Sequence, residues 1–232
     1  MEILAGSSGF SYAEWKGSFY PPDLASSKML AFYGSKLPAV EINNTFYRLP
    51  KTSVLEKWRA QVPESFAFAI KASRRITHMK RLKDCAEETA YLVKTVASLG
   101  SQLGALLFQL PPYLRCDTGR LEAFLKLLPK ETPAVFEFRH ESWLDANILA
   151  LLGDENRPLV WVDQDDAETG ELPVTADWAY LRLRRSGYGP DELKGWRERL
   201  ASQPFQRALV FFKHEEEGAG PALATAFLQG GE

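Results

Sequence analysis

The chain has 232 residues, 45% of them apolar, and a formal net charge of −2. That is enough apolar material for a large core, which excludes a disordered chain, and the near-neutral balance calls for neither nucleic acid nor an anionic membrane surface as the default partner. Its two cysteines, Cys85 and Cys116, lack the C-x-x-C spacing, and neither a leader pattern nor an apolar run of membrane length stands out, so the expectation is a reducing, cytoplasmic setting without membrane contact.

Short apolar runs alternate with amphipathic segments. Strands are expected at 2–7, 38–43, 66–71, 104–110, 133–139, 158–163, 178–184 and 207–213. Helical patterns lie between most of them: 29–37, 53–62, 82–100, 120–129, 144–152, 191–202 and 221–229. Ser53-x-x-Glu56 has the form of a capping box, and Gly100 is the expected stop of the longest helix. Residues 164–177 carry no helical pattern, so the crossover between the sixth and seventh strands is expected to be irregular. Eight strand–helix repeats in a chain of this length point to a single (β/α)8 barrel domain over residues 1–232. An open doubly wound sheet is the rival, but GSSGF (6–10) is not the glycine-rich turn that fold uses to bind nucleotides.

Side chains alternate between the two faces of a strand, so a barrel strand has an inward and an outward set. Alternation groups Ala39, Glu41 and Asn43; Ala67, Ala69 and Lys71; Ala105, Leu107 and Gln109; Val135, Glu137 and Arg139; Leu159, Trp161 and Asp163; and Tyr180, Arg182 and Arg184. Lys213 shares a face with Leu209 and Phe211. Each set is small or apolar early and polar late, as expected of inward faces whose polar ends gather at the carboxyl mouth, where barrel enzymes place their sites.

The quoted runs GSSGFSYAEWKGSFYPPDL, AVEINNTFYRLP, ITH (76–78), LLFQLPP (106–112), VFEFRHESW (135–143) and YLRL (180–183) resemble the DUF72, or YecE-like, family over roughly residues 5–215. The resemblance implies a (β/α)8 barrel and a bacterial cytoplasmic protein, and it implies no activity. Where relatives have Arg-Leu-His-Gly after the seventh strand, this chain has Arg182-Leu183-Arg184-Arg185; where they have Phe-Asn-Asn at the eighth, it has Phe212-Lys213-His214.

The residues themselves suggest acid/base chemistry on a small polar, anionic metabolite. Glu41 and Glu137 are the expected proton-transfer pair, with Asp163 a further base or metal ligand. Lys71, Arg139 and Arg182 would hold the anionic group, with Arg184 and Lys213 adding positive charge at the rim. Asn43 and Gln109 would orient the substrate. Lys71 could alternatively form a Schiff base, the plainer reading being an ion pair. Tyr12, Trp15 and Tyr47 would stack a sugar or base, or else close the long loops over the barrel. His78, His140 and His214 follow strands on the same side without a metal motif, and no cofactor is predicted. A mixed divalent-metal site of Glu41, Glu137, Asp163 and His140 is the minority reading. The basic run around 74–83 and GAGP (218–221) are weaker anion candidates, the latter disfavoured by Glu215, Glu216 and Glu217. The rival functions are a metal-dependent phosphodiester or nucleic-acid processing enzyme and a non-catalytic metabolite-binding protein.

Overall fold

The computed structural model describes residues 1–165, 173–213 and 216–230. Eight parallel strands form the sheet: β1 Glu2–Ser8, β2 Ala39–Ile42, β3 Ala67–Lys71, β4 Leu103–Gln109, β5 Ala134–Glu137, β6 Trp161–Asp163, β7 Trp178–Leu183 and β8 Arg207–Phe212. Their order is β5-β4-β3-β2-β1-β8-β7-β6. The ring closes where Leu159, just before β6, bridges Phe136 of β5, with Val160 N–H donating to the Phe136 carbonyl at 2.8 Å. The helical cover is α1 Met29–Gly34, α2 Thr52–Arg59, α3 Ala86–Val96, α4 Thr118–Leu125, α5 Ala146–Asp154, α6 Pro190–Ala201 and α7 Ala219–Leu228. This is a (β/α)8 barrel. The expected irregular crossover falls partly on 166–172, outside the described residues.

Two buried clusters fix the layers. Ala39, Ala67, Ala69, Ala105, Leu107, Val135, Val160, Tyr180, Leu209 and Phe211 fill the barrel. A larger cluster, including Val40, Ile42, Phe68, Ile70, Phe108, Phe136 and Leu181, packs the outer strand faces against the helices. The inward sets expected for β2, β3, β4, β5, β7 and β8 are therefore the observed ones. β6 is inverted: Val160 and Val162 point into the barrel, while Leu159 and Trp161 pack outward, with Trp161 5.5 Å from Phe205. Both faces of this strand are apolar, so polarity could not order them.

Helix ends depart from the sequence pattern in two places. α2 begins at Thr52 after an uncapped Lys51, so the Ser53–Glu56 capping box does not form. α3 begins only at Ala86, because Arg81, Leu82 and Asp84 all take positive φ in the turn before it. Gly100 does take positive φ, as expected of a stop. Cys85 and Cys116 are free thiols. Among the described residues no helix is long and apolar enough to cross a membrane.

One close approach supplies a sharp test of the barrel's first strand pair. A methyl group on Gly6 would overlap the Ala39 carbonyl oxygen of β2 and meet the Tyr33 hydroxyl at 2.9 Å. Gly6→Ala is expected to lose about 3 kcal/mol, the upper end of overpacking effects, because backbone rather than a flexible side chain must move. A denaturant titration in which Gly6→Ala matched the parent would contradict this geometry.

Candidate functional site

The carboxyl end of the barrel is organised by Arg182. It projects inward from β7, is 1% exposed, and lies between two buried glutamates. Its Nη1 donates to Glu137 Oε2 and its Nη2 to Glu41 Oε1, each at 2.7 Å. Glu41 is then saturated. Oε1 also accepts from Ser8 Oγ at 2.7 Å and from Asn43 Nδ2 at 2.8 Å, and Oε2 accepts from the Tyr180 hydroxyl at 2.7 Å. Glu137 Oε1 accepts from Gln109 Nε2 at 2.7 Å and from Arg139 Nε at 3.0 Å. The network thus joins β1, β2, β4, β5 and β7.

This arrangement sets the charge state of the two glutamates expected to move protons. Burial, the largest single influence, pushes both carboxyl groups up, but the Arg182 charge together with its hydrogen bonds and the neighbouring arginines outweighs it and holds Glu41 and Glu137 down to about 2. Both are fixed anions near neutral pH. Tyr180 is driven the other way, by burial and then by Glu41, so its hydroxyl stays protonated and remains a donor. Arg182 is likewise not a ligand clamp, since its two terminal nitrogens are committed to the glutamates.

The remaining cations face the mouth. Lys71 ends β3, is half-buried, and donates to Gln109 Oε1 at 2.8 Å. Its nitrogen lies 4.5 Å from the centroid of the Phe46 ring. Phe46 is brought there by the short turn after β2, which Thr45 pins by donating to the Lys71 carbonyl at 2.7 Å. No carboxylate lies within 4.0 Å of Lys71 among the described residues. Burial, and then Arg182, lower its pKa to about 8. Arg184, two residues beyond Arg182 on the same face, is half-buried, and its guanidinium has no hydrogen-bond or ion-pair partner among the described residues. Arg139 reaches Glu137 through Nε alone, with its side chain 36% exposed. Four cations, Lys71, Arg139, Arg182 and Arg184, therefore share two carboxylates.

Other expected site residues sit elsewhere. Asp163 faces outward with Leu159 and Trp161, accepting from Tyr188 Oη at 2.9 Å and Trp196 Nε1 at 3.2 Å. It borders a cavity of about 520 Å³ walled by Arg185, Glu192, Trp196 and Arg199 on the helix side, away from the mouth. Trp15 is fully buried against Tyr12, Phe19 and Tyr20, so it seals the β1 loop instead of stacking a ligand. The Tyr12 hydroxyl donates to the Ser8 carbonyl at 2.8 Å, which turns it toward the same packing role. Tyr47 is exposed and meets Phe46 edge-on at the mouth. His140 accepts from the Ser142 N–H and caps a short turn. His78 lies edge-on to Phe46 at 4.8 Å, in a π-helical turn over Arg75–Met79. Burial, and then Lys71, lower its pKa. Lys213 is exposed, and His214 and Glu215 lie outside the described residues. The basic run is partly neutralised, Arg75 and Lys80 both pairing with Glu88. Among the described residues no three His, Cys, Asp or Glu side chains are grouped to hold a metal, and the mixed site with Asp163 and His140 does not assemble.

Ser8 and Tyr180 are the network members that sequence reasoning left out. Ser8 lay one residue past the expected end of β1. Tyr180 stood on the inward face two residues before Arg182, where an aromatic reads as core; its hydroxyl supplies the donor for the second Glu41 oxygen.

The fold and site define a parallel eight-stranded barrel with a locked ion network beneath a cationic mouth. The chain belongs to the DUF72 family: the model described as "Protein of unknown function DUF72" matches residues 4–231. It is 30% identical over 203 residues to the UPF0759 protein YunF of Bacillus subtilis, covering 78% of this chain and 72% of that protein. It is 31% identical over 109 residues to the UPF0759 protein YecE of Escherichia coli K12, covering 47% of this chain and 40% of the relative. The crystal structure of a DUF72 family protein, TM1631 of Thermotoga maritima, superposes with a TM-score of 0.82 at 26% identity, covering 99% of this chain and 98% of that one. The Enterococcus faecalis DUF72 protein EF0366 shares the fold, with a TM-score of 0.79 at 22% identity over 99% of this chain and 94% of that one.

Proposed function

We propose that this chain is an enzyme that takes a small anionic metabolite at the carboxyl end of its barrel. Arg139 and Arg184 hold the carboxylate or phosphate of the ligand. Lys71 is the proton-transfer group, in place of either glutamate. Phe46 and Tyr47 wall the mouth. The observation that carries this reading is the division of labour among the cations: Arg182 takes both buried carboxylates, leaving Lys71 and Arg184 without one. Uncompensated, partly desolvated cations attract anions more strongly than solvated ones, and an arginine fork suits carboxylate and phosphate geometry. A lysine pKa of about 8 suits proton transfer near neutral pH.

Sulfate is the appropriate probe, because its charge is constant across the range in which Lys71 titrates. Calorimetry at pH 7 is expected to detect sulfate binding that Arg184→Ala weakens by roughly tenfold, a loss of about 1.4 kcal/mol. Because the charged form of Lys71 is the one that attracts the anion, affinity is expected to fall as pH rises through about 8. Sulfate affinity indifferent to both the substitution and the pH would remove the basis for this reading. For catalysis, Lys71→Met is expected to abolish turnover of any metabolite that co-purifies with the protein.

A further inference from the structure

Lys71 differs from the other cations of the mouth in what holds it. Gln109 presents its amide oxygen to the Lys71 nitrogen at 2.8 Å while its amide nitrogen donates to Glu137 at 2.7 Å, so the Gln109 orientation is fixed by the glutamate behind it. The Phe46 face closes another side of the amine at 4.5 Å. An ammonium locked to a carboxylate is held in its charged form. An amine held by an amide oxygen can lose a proton and still donate to that oxygen, which keeps it oriented and frees its lone pair for attack. The two nearby glutamates do not interfere, because Arg182 binds both.

Building on the anion-site reading, we infer that Lys71 forms an imine with a small aldehyde or ketone whose carboxylate or phosphate is held by Arg139 and Arg184. The unprotonated Lys71 nitrogen adds to the carbonyl carbon, forming the C–N bond and a carbinolamine. One amine proton passes to the former carbonyl oxygen in the carbinolamine; that hydroxyl then leaves as water with the second amine proton, and a C=N bond replaces C=O. Protonated on nitrogen, the imine draws electrons from a bond at the adjacent carbon, which is the chemistry a lysine nucleophile offers. Water adding back to the imine carbon breaks the C–N bond and returns amine and carbonyl. At pH 7 a lysine with a pKa of about 8 is unprotonated in about one chain in ten, against fewer than one in a thousand for an ordinary lysine.

Glyoxylate, the smallest 2-oxo acid, and dihydroxyacetone phosphate are the two probes, one for each kind of anionic group. The full chain is incubated with each, borohydride is added to reduce any imine to a stable secondary amine, and labelled peptides are located by mass spectrometry. The expected result is an adduct on Lys71 with at least one probe, forming at least about tenfold faster than on any exposed lysine. Excess sulfate should suppress it and Arg184→Ala should slow it. Lys71→Arg should retain sulfate binding and the parental denaturation midpoint while losing the adduct. If Lys71 is labelled no faster than exposed lysines by both probes, the imine is excluded. Should Arg184-dependent sulfate binding persist in that case, the anion-site reading survives alone; if it too is missing, both readings fall together.

Discussion

Arg182→Met is expected to destabilise the protein by about 3–5 kcal/mol at neutral pH, enough to threaten folding at physiological temperature. The substitution removes no more volume than the barrel can absorb, yet it strands two ionised carboxylates that are 0% and 1% exposed. Glu41 retains only neutral donors, Ser8, Asn43 and Tyr180, and Glu137 retains Gln109 and the part-exposed Arg139, but both lose the buried guanidinium that lies between them. Without Arg182, burial dominates and both carboxyl groups shift upward, so the variant recovers part of its stability on mild acidification as they protonate. A triple variant, Glu41→Gln with Glu137→Gln and Arg182→Met, leaves no charge at the three triad positions and is expected to be clearly more stable than Arg182→Met alone. Equal denaturation midpoints for Arg182→Met and the parent would show that the network bears no such strain.

The second large effect is acid lability of the parent. The arginines around Glu41 and Glu137 hold their carboxyl groups down to about 2 in the folded chain, against 4.5 for an unperturbed glutamate. Between those two values the unfolded chain binds protons that the folded chain does not. The stabilisation is therefore complete above about pH 5 and is lost as pH falls from 4.5 toward 2. A shift of this size corresponds to something on the order of 3 kcal/mol per carboxylate, both belonging to one coupled network. Denaturant titrations at successive pH values should show the steep loss in the parent and a shallower slope in Glu137→Gln. Parallel profiles in the two proteins would contradict the assignment.

Why a barrel should carry this network follows from its energetics. Buried ion triads are weak sources of stability, and apolar replacements of similar shape often do as well. What the triad does here is fix geometry and field. It anchors five strand ends, orients Gln109 toward Lys71, and leaves the outer cations unneutralised. The central element of the site is thus a support, and the groups that would meet a ligand are those the support does not consume.

The strand alternation carried most of this in the sequence. Glu41, Asn43, Lys71, Gln109, Glu137, Arg139 and Arg182 were legible as one inward ring because their strands have one plainly outward apolar face. Asp163 was misplaced because LVWVD is apolar on both faces. Trp15 was left with two readings because an aromatic in a loop reads alike whether it stacks a ligand or seals the loop. The charge state of the glutamates was not legible for a different reason. Periodicity gives the face of a residue but not its partner, and the single contact of Arg182 with both carboxylates, across strands far apart in sequence, sets their protonation.

The central claim is that Lys71 is a partly desolvated cation at the mouth, without a carboxylate partner among the described residues and open to an anion. Its most direct test is an NMR titration of the lysine ε-carbons, with Lys71 assigned by loss of its signal in Lys71→Arg. The account predicts one lysine titrating at about 8, well below the rest, whose pKa rises when sulfate is added. A Lys71 signal that titrates with the exposed lysines and does not respond to sulfate would contradict it.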